Sequence, residues 1–153
     1  MAHFAQSEAE SWCRRAILVE AELGLQSDTH LRLARHEVLG RVLKGKGNLA
    51  EARAHLDTAL GLATGLGDEE SKAHILWSLA MVAELNSEYA DSIRAYKDAR
   101  QLAERVGAGW PHLRSSLYLS RLQFRSGAIA DSVDSWRQAL DKEALWGHLP
   151  EAA

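Results

Sequence analysis

Histidine, cysteine and clustered carboxylates are the side chains with which this sequence could bind a metal ion. Cys13 is the only cysteine, and the seven histidines lack the four-residue helical spacing at which two imidazoles ligate one zinc ion. The acidic run Asp68-Glu69-Glu70 stands where a helix is expected to begin, and negative charge is favourable there without a bound cation. We therefore expect no metal site and no cofactor.

Nucleophilic catalysis and phosphate binding also lack the residue patterns that they require. No spacing in the sequence assembles a general base and an orienting group around any of the candidate nucleophiles, which are Ser7, Ser11, Ser115 and Ser116. Gly45 and Gly47 could cradle a phosphate, but no strand precedes them and the other P-loop positions are missing. We expect a protein that is not an enzyme. A small-molecule sensor would need a closed apolar pocket, of which the sequence gives no sign.

The charge and composition argue against two further classes of partner. The chain of 153 residues has 18 basic and 21 acidic side chains, and its net charge of −3 offers no positive field for nucleic acid. No apolar run approaches the roughly 18 residues needed to span a bilayer, and the first residues turn acidic too early for a signal peptide. We expect a cytoplasmic protein that binds neither nucleic acid nor a membrane directly.

Helices must position any binding residues, and an internal repeat of 40 residues defines those helices. Three blocks begin at Gly47, Ser87 and Gly127, and each ends at a glycine suited to stop a helix. Three columns recur within the blocks, namely Ala52, Ser92 and Ser132, then Leu56, Tyr96 and Trp136, then Ala59, Ala99 and Ala139. Their offsets place small and large side chains on one helical face, so we expect Tyr96 and Trp136 to lie in the core.

A partner helix precedes each block and carries a leucine followed directly by a very small residue. These pairs are Leu39-Gly40, Leu79-Ala80 and Leu119-Ser120. Asn48 and Glu51 match a capping box at the first block, and Ser87 is expected to cap the second. The pattern predicts seven helices, near residues 5–23, 29–45, 48–65, 69–86, 88–106, 110–126 and 128–145.

The first helix of each pair has a leucine followed by a very small residue, a turn residue follows, and the second helix has a small residue, a large residue and an alanine. This order resembles the tetratricopeptide repeat (TPR), and the resemblance extends from Leu33 to Gly147. The period of 40 exceeds the usual period of about 34 and is similar to the extended variant in bacterial regulators and signalling scaffolds. The resemblance implies an all-α, right-handed α-α superhelix of about seven antiparallel helices in a single domain, 1–153. Within it we expect an unpaired first helix at 1–24, repeats at 29–67, 69–107 and 110–147, and a tail at 148–153.

The resemblance also implies which side chains face a partner, because the first helix of each pair lines the inner face of such arrays. The matching positions are Ala34, Glu37, Arg41 and Lys44, then His74, Trp77, Met81 and Glu84, then Arg114, Leu117, Arg121 and Phe124. Tryptophan, methionine, phenylalanine and arginine are enriched in interface cores. Trp77 is the strongest candidate anchor, and the alternative is that it packs between helices.

Three arginines on this predicted face, Arg41, Arg114 and Arg121, have few carboxylates near them in the alignment, which favours an acidic or carboxylate-bearing peptide as the guest. The alternative is a solvated charged face. The family's clamp for chaperone tails needs lysine and asparagine where Glu37 and Arg41 stand, so chaperone-tail binding is disfavoured.

Two functions follow from these predictions. The first is a protein–protein interaction module, complete or cut from a larger bacterial regulatory protein, that holds a peptide or partner protein on its inner face. The alternative is a structural repeat that forms homo-oligomers through uncapped ends, including the first helix, Trp146 and Leu149.

Overall fold

The computed structural model describes residues 2–24 and 28–146, and its regular elements are all α-helices. In chain order these are α1 (Ala2–Leu23), α2 (Thr29–Gly45), α3 (Leu49–Leu66), α4 (Glu69–Leu85), α5 (Tyr89–Val106), α6 (Gly109–Arg125) and α7 (Ile129–Trp146). The predicted all-α fold of seven helices is confirmed. The predicted tail at 148–153, Leu149 and the side chain of Trp146 lie outside the described residues. None of the seven helices is long and apolar enough to cross a bilayer.

The chain divides into two compact units, which we describe separately. The first unit ends at Asp68 and holds α1 to α3, and the second unit begins at Glu69 and holds α4 to α7. Within the first unit α2 packs on both α1 and α3, and within the second unit consecutive helices pack on each other.

Glycine ends α3 and α5 as the sequence predicts. Gly67 and Gly107 cap these helices with φ of 68° and 71°, in the left-handed region that glycine adopts without steric cost. The next backbone N–H in each case, that of Asp68 or Ala108, donates to a carbonyl of the last turn at 3.0 or 2.9 Å. These bonds satisfy carbonyls that the helix itself leaves without a donor.

Neither predicted side-chain cap forms, although Asn48 holds the N-cap position of α3. Ser87 has φ of 63°, which makes it the turn residue equivalent to Gly47 and Gly127, and Glu88 takes the position before α5. Asn48 does precede α3, but its ψ of 71° lies outside the extended region typical of capping residues. Its side-chain amide donates instead to Glu51 Oε2 at 2.7 Å. Both predictions failed because capping depends on backbone angles that residue type does not determine.

The core of the first unit depends on a close approach between α2 and α3. Leu39, Leu43 and Leu56 are fully or almost fully buried. A Cβ atom added to Gly40 would lie 2.6 Å from Leu56 Cγ and 3.2 Å from the Ala52 carbonyl oxygen, so glycine leaves the space that Leu56 fills. Ion pairs join α1 to its neighbours, namely Arg14–Glu51, Glu10–Lys46 and Glu20–Arg35.

The second unit confirms one predicted core aromatic and contradicts the other. Tyr96 is fully buried on α5, where its ring stacks on Tyr118 of α6 at 5.6 Å between centroids. Trp136, the equivalent residue of α7, is 49% exposed. The prediction for Trp136 is wrong: α5 packs on both α4 and α6, whose side chains bury Tyr96, whereas among the described helices α7 packs on α6 alone.

Serine hydroxyls join the small-residue positions within the second unit. Ser92 Oγ donates to the Ala80 carbonyl at 2.8 Å. On the next pair Ser120 Oγ donates to the Ser132 carbonyl at 3.0 Å, and Ser132 Oγ donates to the Ser120 carbonyl at 2.9 Å. Hydrogen bonds of this kind offset the cost of desolvating the buried hydroxyls and fix the contact between two helices.

Candidate functional site

The second unit brings several of the predicted binding residues together where α4 meets α6. Trp77 of α4 and Trp110 of α6 meet edge to face, with ring centroids 5.0 Å apart. His74 stacks on the same Trp110 ring at 5.2 Å, and Tyr118 contacts Trp77 edge to face at 6.1 Å. We use the name aromatic cluster for these four residues, His74, Trp77, Trp110 and Tyr118. Such ring pairs add about 0.5–1.5 kcal/mol each beyond the area that they bury.

Arg114 lies against the aromatic cluster. Its guanidinium carbon is 4.8 Å from the centroid of Trp110 and 6.0 Å from that of Trp77, within the range of a cation–π contact. The residue is half-buried and, in the part of the chain that the structure describes, forms no ion pair with a carboxylate. The rings therefore hold the guanidinium plane in place, while its N–H donors remain available for an anion.

Arg121, one predicted binding residue further along α6, has a carboxylate of its own. It forms an ion pair with Glu84 of α4 and stands 4.7 Å from the centroid of Tyr118. The Tyr96 hydroxyl donates to the same carboxylate at 3.3 Å. Burial, followed by the charge of Glu84, raises the pKa of Tyr96 well above its ordinary value, so the hydroxyl keeps its proton and remains a donor.

The remaining predicted residues of the second unit differ in exposure. Trp77 is only 8% exposed and belongs to the core of the unit, which is the alternative that the sequence analysis kept open for it. Met81 and Leu117 are half-buried, and Met81 packs against that core. Phe124 is 64% exposed near the end of α6. Trp77 thus forms the buried part of the aromatic cluster, and the side chain of Phe124 is an exposed apolar group.

In the first unit the predicted binding residues lie along α2. Ala34 is exposed, and Arg41 pairs with Glu37 one turn earlier at 3.7 Å. Burial, followed by the charge of Arg41, lowers the pKa of Lys44 to about 8. The expectation of arginines with few carboxylates therefore differs from the structure at Arg41 and Arg121, because Glu37 and Glu84 occupy the same faces.

Trp110 and Tyr118 complete the aromatic cluster and were not among the predicted binding residues. Both lie four residues from Arg114 along α6, so the spacing that places residues on one helical face could have identified them. The binding positions of α6 that the family resemblance implied include one residue per helical turn, and these two residues are not among them.

A second group of side chains that was not predicted lies in the first unit. His36 of α2 and His55 of α3 approach each other with 2.9 Å between their Nδ1 atoms and 5.1 Å between ring centroids. Burial lowers the pKa of both imidazoles, and at His36 the charge of His55 lowers it further. Among the described residues, no group of three or more histidine, cysteine or acidic side chains is placed to bind a metal ion.

The described residues of the second unit line at least two cavities. The first, of about 150 Å³, is lined by Tyr89, Ile93, Leu122, Arg125 and Ser126, and the second, of about 370 Å³, is lined by Lys72, Leu76, Asp98, Gln101, Leu102 and Arg105. The first is smaller than the roughly 300–1,000 Å³ typical of drug-sized ligands, and charged side chains line the second. Neither matches the closed apolar pocket that a small-molecule sensor requires.

Comparison with solved structures supports the helical architecture. The chain is similar to BtubC (BKLC) from P. vanneervenii, with a TM-score of 0.77 and 21% identity over 97% of this chain and 58% of that one. It is also similar to a Rap protein complexed with Competence and Sporulation Factor, with a TM-score of 0.80 and 15% identity over 93% and 39%. This chain therefore spans less than two thirds of either protein.

A third similar structure is a putative kinesin light chain from Podosopora anserina with nearly identical TPR-like repeats, with a TM-score of 0.75 and 18% identity over 96% of this chain and 71% of that one. At such identities the likeness concerns the fold alone. No curated protein matches the sequence.

A family model provides the assignment. The tetratricopeptide repeat model matches residues 29–105, slightly more than half of the chain, and this range includes the predicted repeats at 29–67 and 69–107 almost completely. Repeats of this kind generally mediate protein–protein interaction. The chain therefore belongs to the tetratricopeptide repeat family.

Proposed function

We propose that this protein is an interaction module that binds a partner polypeptide at the aromatic cluster, and that Arg114 receives a carboxylate of that partner. The observation that carries the proposal is the stacking of Arg114 on Trp110 without a carboxylate partner in the described chain. A planar guanidinium held by rings has lost part of its conformational freedom before binding, so less entropy is lost when it forms a bidentate bond.

The geometry of α6 limits the size of the guest. Arg114, Leu117, Arg121 and Phe124 follow each other at three- or four-residue spacing on one face of the helix. Ten residues separate Arg114 from Phe124, which is about 15 Å of helix, a distance that four or five residues of extended chain span. The proposed guest therefore carries a carboxylate and, four or five residues away, an apolar side chain that contacts Phe124.

Several observations support a binding role in a regulatory protein. Tetratricopeptide repeats are typically non-catalytic scaffolds. The similar Rap protein was solved in complex with Competence and Sporulation Factor, and this chain spans only part of that protein's length. We infer by analogy that the chain acts as a non-enzymatic module of a bacterial regulatory protein in the cytoplasm. The first unit carries predicted binding residues of its own, Glu37, Arg41 and Lys44 on α2.

Selection from a peptide library tests the proposal without knowledge of the natural partner. Random 12-residue peptides displayed on phage are selected on the wild-type protein, and the enriched peptides are assayed by fluorescence anisotropy. We expect enriched peptides to contain a glutamate, an aspartate or a free carboxyl terminus. Arg114→Ala should weaken their binding at least about tenfold, and Arg114→Lys should restore only part of the affinity, since lysine cannot bind a carboxylate in bidentate fashion.

Arg94→Ala is the matched control, because Arg94 is an exposed arginine of α5 whose ion pair among the described residues is with Asp91 of its own helix. This variant should bind the selected peptides like the wild type, and all variants should keep their helical circular dichroism. Peptides enriched without any carboxylate, or equal affinity of Arg114→Ala and wild type, would disprove the role of Arg114.

A further inference from the structure

Three arginines of α6 share one face of the helix, and each guanidinium lies over an aromatic ring. Arg121 and Arg125 follow Arg114 at offsets of seven and eleven residues, which return to nearly the same direction on an α-helix. The rings beneath Arg114 and Arg121 belong to the aromatic cluster, and the guanidinium carbon of Arg125 stands 5.6 Å from the ring centroid of Tyr89 on α5. We name these three residues the arginine row.

The two ends of the arginine row carry positive charges that no carboxylate of the described chain compensates. In the middle, Arg121 pairs with Glu84. Among the residues that the structure describes, Arg114 and Arg125 form no ion pair. They are separated by eleven residues of α6, which is about 16 Å along the helix. The row therefore matches a guest that carries two carboxylates at about this separation.

An apolar cavity lies beside the far end of the row. Arg125 lines the cavity of about 150 Å³, together with Ser126 and three larger residues, Tyr89, Ile93 and Leu122. Leu122 is 3% exposed and Ile93 is half-buried, so both belong to the packed interior of the unit. An apolar cavity of about 150 Å³ holds a molecule of the size of benzene, which is close to the size of a leucine or phenylalanine side chain.

We propose that this cavity is a second anchoring subsite for the partner polypeptide, in which a large apolar side chain of the partner enters the cavity and an acidic side chain of the partner binds Arg125. This inference rests on the proposed function, because it assigns a further contact of the same partner. In an extended segment, side chains two residues apart point to the same side and lie about 7 Å from each other. That separation is compatible with an apolar group in the cavity and a carboxylate on the arginine that lines it.

The arginine row then defines a pattern in the partner. A distance of about 16 Å corresponds to about five residues of extended chain, and only even separations place two side chains on the same side. We therefore expect the carboxylates for Arg114 and Arg125 four or six residues apart, with a leucine or an aromatic residue two positions from the second. This apolar residue is additional to the one at Phe124, since Phe124 and Leu122 point about 160° apart around α6.

Double-mutant cycles with the peptides selected on the wild-type protein test the contact of Arg125. Each acidic residue of a peptide is replaced in turn by its amide, and affinities are measured by fluorescence anisotropy. Arg125→Ala should weaken binding of the unmodified peptides at least about tenfold, and should have almost no effect once the second carboxylate has been replaced. Arg94→Ala, which removes an exposed arginine of α5, should bind like the wild type.

Variants of the cavity walls test the apolar contact. Ile93→Trp fills the cavity from α5 and should weaken binding about tenfold, but should have little effect on peptides whose apolar residue is alanine. Arg94→Trp places the same side chain at the adjacent exposed position and should leave the affinity unchanged. Tyr89 is 44% exposed, so Tyr89→Ala removes a wall with little consequence for folding and should also weaken binding. Circular dichroism checks the fold of each variant.

The failure of this inference differs from the failure of the proposed function. Weak binding by Arg114→Ala, with wild-type affinity in both Arg125→Ala and Tyr89→Ala, would overturn the second subsite and leave the role of Arg114 in place. Wild-type affinity of Arg114→Ala, with weak binding by Arg125→Ala and Tyr89→Ala, would disprove the role of Arg114 and support the second subsite. Selected peptides without an apolar residue near their second carboxylate would also overturn the subsite.

Discussion

Single residues determine how the first unit responds to acid. The two Nδ1 atoms of His36 and His55, 2.9 Å apart, form one hydrogen bond only when one ring carries its proton there and the other is an acceptor. Protonation of both rings would remove the acceptor and place two positive charges together. Charged neighbours surround the pair, with Arg14 and Glu20 on α1, Arg32 and Arg35 on α2, and Glu51 on α3.

The stability of the protein should therefore fall in mild acid. Because the pKa of both histidines is lowered in the folded state, the unfolded chain takes up protons first as the pH falls below 6.5, and unfolding is favoured. We expect a loss of up to about 1 kcal/mol between pH 7.5 and 5, limited because both rings are partly solvated. Urea unfolding at the two pH values measures it.

The variant His55→Gln should reduce this loss, since its amide can still donate to His36 but does not titrate. His30→Gln, at an exposed position of α2, serves as the control and should keep the wild-type pH dependence. An equal loss in wild type and His55→Gln would show that the histidine pair does not cause it.

A second residue-scale prediction concerns the turn between α4 and α5. Ser87 adopts φ of 63° where the equivalent turn residues, Gly47 and Gly127, are glycines. A left-handed conformation costs a non-glycine residue roughly 1–2 kcal/mol, so Ser87→Gly should stabilise the protein by up to about 1 kcal/mol after the greater flexibility of the unfolded chain is subtracted. Thermal unfolding followed by circular dichroism measures the change.

Ser126→Gly provides the comparison, because Ser126 has φ of −85° and its hydroxyl donates to the Gln123 carbonyl at 2.9 Å. Glycine there should destabilise. Stabilisation by both variants, or by neither, would contradict the role assigned to the left-handed backbone at Ser87.

At the scale of the helices, the close contact of α2 with α3 leads to a prediction about the stability of two glycine variants. Gly40→Ala would place a Cβ atom 2.6 Å from Leu56 Cγ, with the Ala52 carbonyl oxygen only 3.2 Å away. We expect this variant to lose about 1–3 kcal/mol of unfolding free energy, as overpacked cores do. Gly61→Ala, in the interior of α3 where an added Cβ meets nothing within 4 Å, should gain about 0.5–1 kcal/mol from helix propensity.

Denaturant unfolding of the two variants beside the wild type compares the same chemical change at a tight and at an open position. If Gly40→Ala were as stable as Gly61→Ala, the two helices would have room to separate and the tight contact would not be what requires glycine.

The helices themselves could be predicted from the sequence for a physical reason. Helix periodicity and glycine stops are local properties, so the columns of Ala52, Leu56 and Ala59 and the end at Gly67 predicted α3 correctly. The aromatic cluster required more information. Helical spacing places Trp110 and Tyr118 beside Arg114 on α6, but it does not specify that their side chains meet Trp77 of α4.

At the scale of the whole molecule, the burial of a side chain depends on which helices pack around it. For this reason the prediction that equivalent residues of different repeats are equally buried failed. Tyr96 and Trp136 occupy the same column, yet one is buried and the other is half exposed. The repeat period predicts which residue types recur from one helix pair to the next, but it does not show which helices pack on a given position.

The contacts at the small-residue positions have a consequence for the genetics of the array. The first pair uses Gly40 beneath Leu56, the second uses a hydroxyl of Ser92 on the Ala80 carbonyl, and the third uses two reciprocal hydroxyl bonds between Ser120 and Ser132. Unequal crossing-over between the coding segments of different repeats would combine α2 with α7, or α4 with α3. The first product would lose a hydroxyl bond, and the second would drive a methyl group into Leu56. Although the repeats share one period, the helices differ in how they contact their partners, and both of these exchanges would lower the stability of the protein.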